Sequence, residues 1–180
     1  QYLTAFNVVN EYSVAKLEKI LFEYGEERYG KKIAERIAKV REKQSIRTTG
    51  QLAKIAEECY PPSVRWKGGH PAKRTFQAIR IEVNGELDKL YDTVETLCKR
   101  LKKGGRAVII TFHSLEDRIV KNCFKELETD CICDKSLPKC VCGKVREIKI
   151  LNKKPITASE EELKNNSRAE SAKLRIAQRV

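Results

Sequence analysis

Four consecutive aliphatic residues, Ala107-Val108-Ile109-Ile110, stand between Gly104-Gly105 and the polar stretch that opens at Phe112-His113-Ser114. A continuous apolar run that short predicts a strand buried on both faces. Ser114 then stands where a helix begins, with Asp117 three residues on, close to a capping box. Beyond it Ile119, Val120, Cys123, Phe124 and Leu127 recur at helical spacing. A strand that feeds directly into a helix commits this half of the chain to the α/β class. It also puts His113-Ser114 at the carboxyl end of a strand, which is where open α/β sheets bind ligands.

The amino-terminal half reads differently. Ser13 can cap a helix carrying Val14, Leu17, Leu21 and Tyr24, and Gly25 can end it. A second helix is predicted from Glu26 to about Lys43, with Tyr29, Ile33, Ile37 and Val40 on one face. Thr48 and Gln51 have capping-box spacing ahead of Leu52, Ile55, Ala56 and Cys59, and Pro61-Pro62 stops that third helix. These stripes predict a small helical domain and carry no chemistry of their own. Val83, Leu87, Leu90, Val94, Leu97 and Leu101 then predict one long helix to about Lys102, bent at Gly85. Val145 to Leu151 alternates as a strand, Ser159 caps a short acidic helix, and Leu174, Ile176 and Val180 read as a final strand.

The chain of 180 residues has 37 basic and 25 acidic side chains, a net charge of +12. That excess favours an anionic partner, nucleic acid first. The charge is concentrated between Pro61 and Arg80, where Arg65, Lys67, Lys73, Arg74 and Arg80 occur with no acidic residue and with Trp66, His70 and Phe76 interleaved. Cations neutralise phosphates and aromatic faces stack on unpaired bases, so this segment reads as a single-stranded RNA surface. The competing reading is an ordinary solvated connection with Trp66 and Phe76 in the core. Arg74, Gln77 and Arg80 fall at near-helical spacing. No apolar run approaches the roughly 20 residues of a membrane span. No signal-peptide pattern opens the chain, so no membrane partner and a cytoplasmic location are expected.

Three stretches carry a family resemblance. Phe112 to Lys121 reads FHSLEDRIVK, His70 to Leu87 reads HPAKRTFQAIRIEVNGEL, and the end of the chain contains KKPITASEEE and SAKLRIAQRV. Together they resemble the RsmH/MraW family of ribosomal RNA small subunit methyltransferases, and Leu3 to Gln51 is similar to that family's helical insertion. The resemblance implies methylation of cytosine N4 in small-subunit (16S) ribosomal RNA with S-adenosylmethionine as cofactor, and small-subunit RNA or the small ribosomal subunit as partner. It implies a fold of a helical insertion, residues 1–70, followed by the latter half of a Rossmann-like methyltransferase sheet, residues 71–180. The family's glycine-rich cofactor loop lies upstream of the part matched here, and no cofactor-binding residue is assigned: Gly68-Gly69 follows no strand, and Gly104-Gly105 precedes one. With no methionine and Gln1 opening into a helical pattern, the chain is expected to be a fragment or processed product, inactive by itself. Ser167 and Glu170 stand where the family usually has Pro and Arg. The alternative is a non-catalytic RNA-binding module or truncated enzyme, distinguished by whether a glycine-rich loop is encoded upstream.

His113 is the candidate catalytic residue, able to hydrogen-bond a base edge or accept a proton from an exocyclic amine. The other reading is a ring that fixes the strand-to-helix turn. Arg65, Lys67, Lys73, Arg74, Gln77 and Arg80 are the candidate substrate contacts. Cys131-Ile-Cys133 and Cys140-Val-Cys142 make two close pairs that can ligate a structural zinc, with disulfides as the competing reading. Cys59, Cys98 and Cys123 lie on apolar helical faces and are expected in the core.

Overall fold

A computed structural model describes residues 2–67, 69–134 and 139–180. Gly68 of the Gly68-Gly69 pair and Leu137 of the four-cysteine loop lie outside the described residues. The chain forms two compact units, Gln1–Glu86 and Leu87–Val180.

The first unit holds five helices: α1 (Ala5–Glu11), α2 (Val14–Glu23), α3 (Gly30–Arg41), α4 (Thr49–Glu58) and α5 (Lys73–Asn84). Three of the starts are written in the sequence. Thr4 makes a reciprocal capping box with Asn7, and Thr48 makes one with Gln51. The Ser13 side chain accepts from Lys16 N at 3.2 Å. The apolar stripes meet in one core that includes Val8, Leu17, Leu21, Ile33, Ile37, Ile55 and Ala78. Asn10 holds the turn before α4 with both ends of its amide, accepting from Ile46 N at 2.8 Å and donating to Ile46 O at 3.0 Å. At Gly25 a Cβ would lie 2.6 Å from Leu21 O and 2.8 Å from Arg74 O. Only a residue without a side chain lets α5 approach the end of α2 this closely. α5 packs on α1 and α2, so this unit runs to Glu86.

The single long helix expected through Gly85 is two helices. Gly85 takes φ 58° and ψ 37°, and its N–H bonds to Ile81 O, which closes α5 with a left-handed cap. The stripe from Val83 to Leu101 keeps helical spacing across the break, so the pattern alone did not reveal it.

The second unit contains α6 (Leu90–Arg100), β1 (Arg106–Thr111), α7 (Ser114–Glu128), β2 (Ile148–Ile150), α8 (Glu160–Asn165) and β3 (Lys173–Arg179), with a 3-10 turn at Ser167–Ser171. The strands form an antiparallel sheet in the order β1-β3-β2. Ala107 and Ile150 are both opposite Ala177 in the register, and Ile148 is opposite Arg179. That face packs on α6 and α7 through Val94, Cys98, Val120, Cys123, Phe124 and Leu127. Phe124 is fully buried, a contribution of roughly 1.5–3 kcal/mol.

The expectation that β1 is buried on both faces is corrected. Alternate residues Ala107 and Thr111 are buried, while Val108 is 55% and Ile110 54% exposed. The described helices cover one face of the sheet, and a run of four aliphatics reads the same whether its second cover is present or not. The strand expected from Val145 to Leu151 is limited to Ile148–Ile150, the residues that find partners on β3. Ser159 accepts from Glu162 N and starts α8, as its sequence predicts.

Candidate functional site

The turn between β1 and α7 puts His113 at the end of the strand. The residue capping α7 is His113 and not Ser114. It is extended, at φ −145° and ψ 164°, and its Nδ1 accepts from Glu116 N at 3.4 Å. The Glu116 carboxylate reaches back to accept from Phe112 N at 2.8 Å. The result is the reciprocal logic of a capping box, shifted one residue from the expected frame. With Nδ1 an acceptor, the neutral ring carries its proton on Nε2. That atom is buried without a hydrogen-bond partner among the described residues, although Glu116 Oε1 lies 3.3 Å away. One nitrogen of His113 is therefore committed to the turn. Only Nε2 is left for any further contact.

Asp117 belongs to the framework of this turn. It receives two hydrogen bonds from Arg175 of β3, at 2.6 and 3.0 Å, with Lys173 at 3.8 Å. Both partners are buried. The Arg175 hydrogen bonds hold the Asp117 carboxyl below its ordinary value, against the opposing effect of burial.

The basic segment from Pro61 to Arg80 divides into residues whose side chains bond within the fold, of which Arg74 and Arg80 stay exposed, and residues whose side chains make no such bond among the described residues. Arg74 Nη1 donates to Glu26 O and Gln77 Nε2 to Tyr24 O, each at 2.9 Å. They satisfy carbonyls just past the end of α2, where a helix leaves such groups unpaired. Arg80 makes a two-pronged pair with Glu86 at 2.8 and 3.0 Å. Arg65 donates to Tyr60 O at 3.3 Å and lies 3.5 Å from Glu57. Lys67 and Lys73 are exposed, as is Trp66, whose ring meets His70 edge-on at 5.3 Å. His70 Nδ1 accepts from Ala72 N at 3.1 Å and steadies the start of α5. His70, Lys73 and Phe76 also line an open groove of about 370 Å³, with Thr49, Gly50 and Ala53 opposite.

The four cysteines at 131, 133, 140 and 142 come together in one loop between α7 and β2, their sulfurs all within 4.8 Å of one another. The Ile132 and Lys144 backbone N–H groups hold the Cys142 thiol down at about 6. The other three thiols belong to the cores, where burial raises them all and pushes Cys123 up to about 12. They are inert packing groups.

Compared with known proteins, residues 1–180 match the model of the MraW methylase family. The chain belongs to that family. It is 54% identical over 178 residues to a protein of Caldicellulosiruptor saccharolyticus named ribosomal RNA small subunit methyltransferase H, covering 99% of this chain and 57% of that protein. The protein of the same name from Halothermothrix orenii is 52% identical over 180 residues, or 100% of this chain and 58% of that protein. One from Fusobacterium nucleatum is also 52% identical over 180 residues. The chain thus spans a little over half the length of the family members it matches. Methyltransferases of this family imply S-adenosylmethionine. The described residues do not fit a cradle for it, because the turn after β1 is built on a histidine cap and no glycine-rich loop follows a strand. No helix among the described residues is long and apolar enough to cross a membrane.

Two buried charged groups, one in each unit, carry no local signal in the sequence. The Asp117–Arg175 pair joins residues 58 apart, and no local pattern signals it. Glu27 is 1% exposed and accepts from Tyr29 N at 2.9 Å and from Tyr60 Oη.

Proposed function

We propose that this chain works as part of a longer enzyme that methylates cytosine N4 in small-subunit ribosomal RNA, with S-adenosylmethionine as methyl donor. The observation that carries the reading is the family match over the whole chain, together with the name shared by relatives at 52–54% identity. In this reading residues 87–180 complete one side of a Rossmann-like sheet, and the cofactor's cradle comes from sequence those relatives have beyond the matched part. The helical unit is the substrate-recognition part. The RNA substrate places the enzyme in the cytoplasm.

His113 is a positioning residue for the target base. Its Nδ1 sets the turn at the end of β1, and Nε2 remains for a contact with RNA or with an ordered water. The test is methylation of small ribosomal subunits by the longer protein. His113→Ala removes both the cap and the ring, so it should lower stability by about 1 kcal/mol and also lower the rate. Asn at a cap position restores the acceptor for Glu116 N without restoring the ring. His113→Asn should therefore recover stability while the rate stays down by roughly 10-fold, the loss of one hydrogen bond to the base. Wild-type rates in His113→Asn would leave the residue a cap and nothing else.

Lys67 and Lys73 are exposed and make no side-chain bond among the described residues, which favours them, with exposed Trp66, as the RNA contacts of the basic segment. Arg65, Arg74, Gln77 and Arg80 support them by holding the helices behind. Each lysine that pairs a phosphate adds about one counterion to the salt dependence of binding. Lys67→Ala with Lys73→Ala should weaken RNA binding evenly across sequences and flatten the salt slope by about 2. An unchanged slope would move the RNA surface elsewhere. RNA binding by a protein that never methylates would instead favour the non-catalytic reading.

A further inference from the structure

The four-cysteine loop is not used by the methylation reading. Cys131 Sγ lies 3.5 Å from Cys140 Sγ and 3.9 Å from Cys142 Sγ, and Cys140 Sγ lies 3.8 Å from Cys133 Sγ and 3.5 Å from Cys142 Sγ. Two references decide what such spacings mean. A disulfide requires about 2.05 Å. Four thiolates around zinc, with Zn–S of about 2.3 Å, require a tetrahedron whose edge is about 3.8 Å. The observed distances cluster around the second value.

The backbone is arranged in the same sense. Ile132 N donates to Cys142 Sγ at 3.5 Å, Cys133 N to Cys131 Sγ at 3.4 Å and Val141 N to Cys133 Sγ at 3.3 Å. Such N–H groups stabilise sulfur that carries negative charge. Gly143 sits at φ 62°, which turns the chain back immediately after the last cysteine. Apolar burial does not hold this loop: Ile132 is 68% and Val141 78% exposed.

We propose that Cys131, Cys133, Cys140 and Cys142 bind one structural zinc ion as four thiolates. Four like charges this close repel one another unless a cation sits among them, and zinc with sulfur ligands and no open position suits that set. Lys139 beside Cys140 and Lys144 two residues past Cys142 are set against Asp130 and Asp134, which adjoin Cys131 and Cys133, so the metal itself has to supply most of the charge that four thiolates require. The role is local. The base of the loop is tied independently, by Glu147 N to Leu127 O at 2.9 Å and by Ile150 N to the Glu128 carboxylate at 2.7 Å. The metal therefore ties Cys131 and Cys133 to Cys140 and Cys142 and leaves the sheet to its own hydrogen bonds.

The test begins with the whole chain, expressed in zinc-supplied medium and purified under reducing conditions without chelator. Metal analysis should give about one zinc per chain. Cobalt added to the reduced, metal-free chain should produce the absorption of a tetrahedral four-thiolate complex and be displaced by zinc. Cys131→Ser with Cys140→Ser should abolish both signals and open the loop to protease, while the thermal unfolding of the body stays within a few degrees of wild type. The thermal readout on the same doubly substituted chain keeps folding and metal binding separable. Metal-free chain that binds neither ion while its four thiols titrate as free would overturn the proposal. So would iron at one per chain, or a cross-link within Cys131 to Cys142 in protein taken directly from a reducing cytosol.

Discussion

Asp117→Ala is expected to destabilise the second unit by about 3–5 kcal/mol, because it leaves the Arg175 guanidinium buried without its counter-charge. Lys173, a second cation 3.8 Å from the Asp117 carboxylate, loses the same counter-charge and adds repulsion instead of relieving it. The readout is hydrogen exchange of the β3 amides, which should move to much faster rates than those of the helical unit. Asp117→Ala combined with Arg175→Leu should recover much of the loss, since an apolar pair in a buried site avoids the stranded charge. The pH dependence follows from the direction of the shift. The folded carboxyl is held below its unfolded value of about 3.9, so the stabilisation is complete above that value. It disappears as the pH falls through the depressed folded value. Acid unfolding of this unit that is unaffected by Asp117→Ala would mean that the pair does not contribute.

Glu27→Ala should cost the helical unit about 2–4 kcal/mol. Two partly buried donors, Tyr29 N and Tyr60 Oη, lose their acceptor, at roughly 1–3 kcal/mol for each group left unsatisfied. Glu27→Gln keeps an amide oxygen for one of them and should lose about half as much. Burial, together with the Glu27 hydrogen bond, pushes the Tyr60 phenol well above its ordinary value, so the hydroxyl remains a donor through the alkaline range. Trp66 is the only tryptophan and lies in this unit, so its fluorescence in urea isolates the transition. Equal midpoints for wild type and Glu27→Ala would show that water replaces the carboxylate without loss.

What could be read from the sequence was what depends on neighbours along the chain. The caps at Ser13, Thr48 and Ser159 and the core stripes of α2, α3 and α4 all rest on spacings of three and four residues. The strand-to-helix turn at His113 was readable for the same reason, though its frame was off by one because histidine is an uncommon cap. The four cysteines were visible as two pairs, but only folding shows that the pairs face each other. Contacts between distant segments were not readable. Arg74 and Gln77 look like polar residues without partners until the end of α2 is placed beside them. Gly85 fits a bent helix as well as a broken one until its left-handed φ is known.

Val108, Ile110, Leu174 and Ile176 lie on the sheet face away from α7, and Val108 pairs with Ile176 and Ile110 with Leu174. β1 has β3 on one side and no other strand among the described residues. Bare aliphatic surface beside a strand edge is what drives chains to stack edge to edge. The opposing force is the mutual repulsion of molecules carrying +12 each. That repulsion shortens to about 8 Å at physiological ionic strength, while the attraction of apolar faces does not weaken with salt. For this stretch of protein, unlike most, dilute buffer protects against precipitation and added salt promotes it.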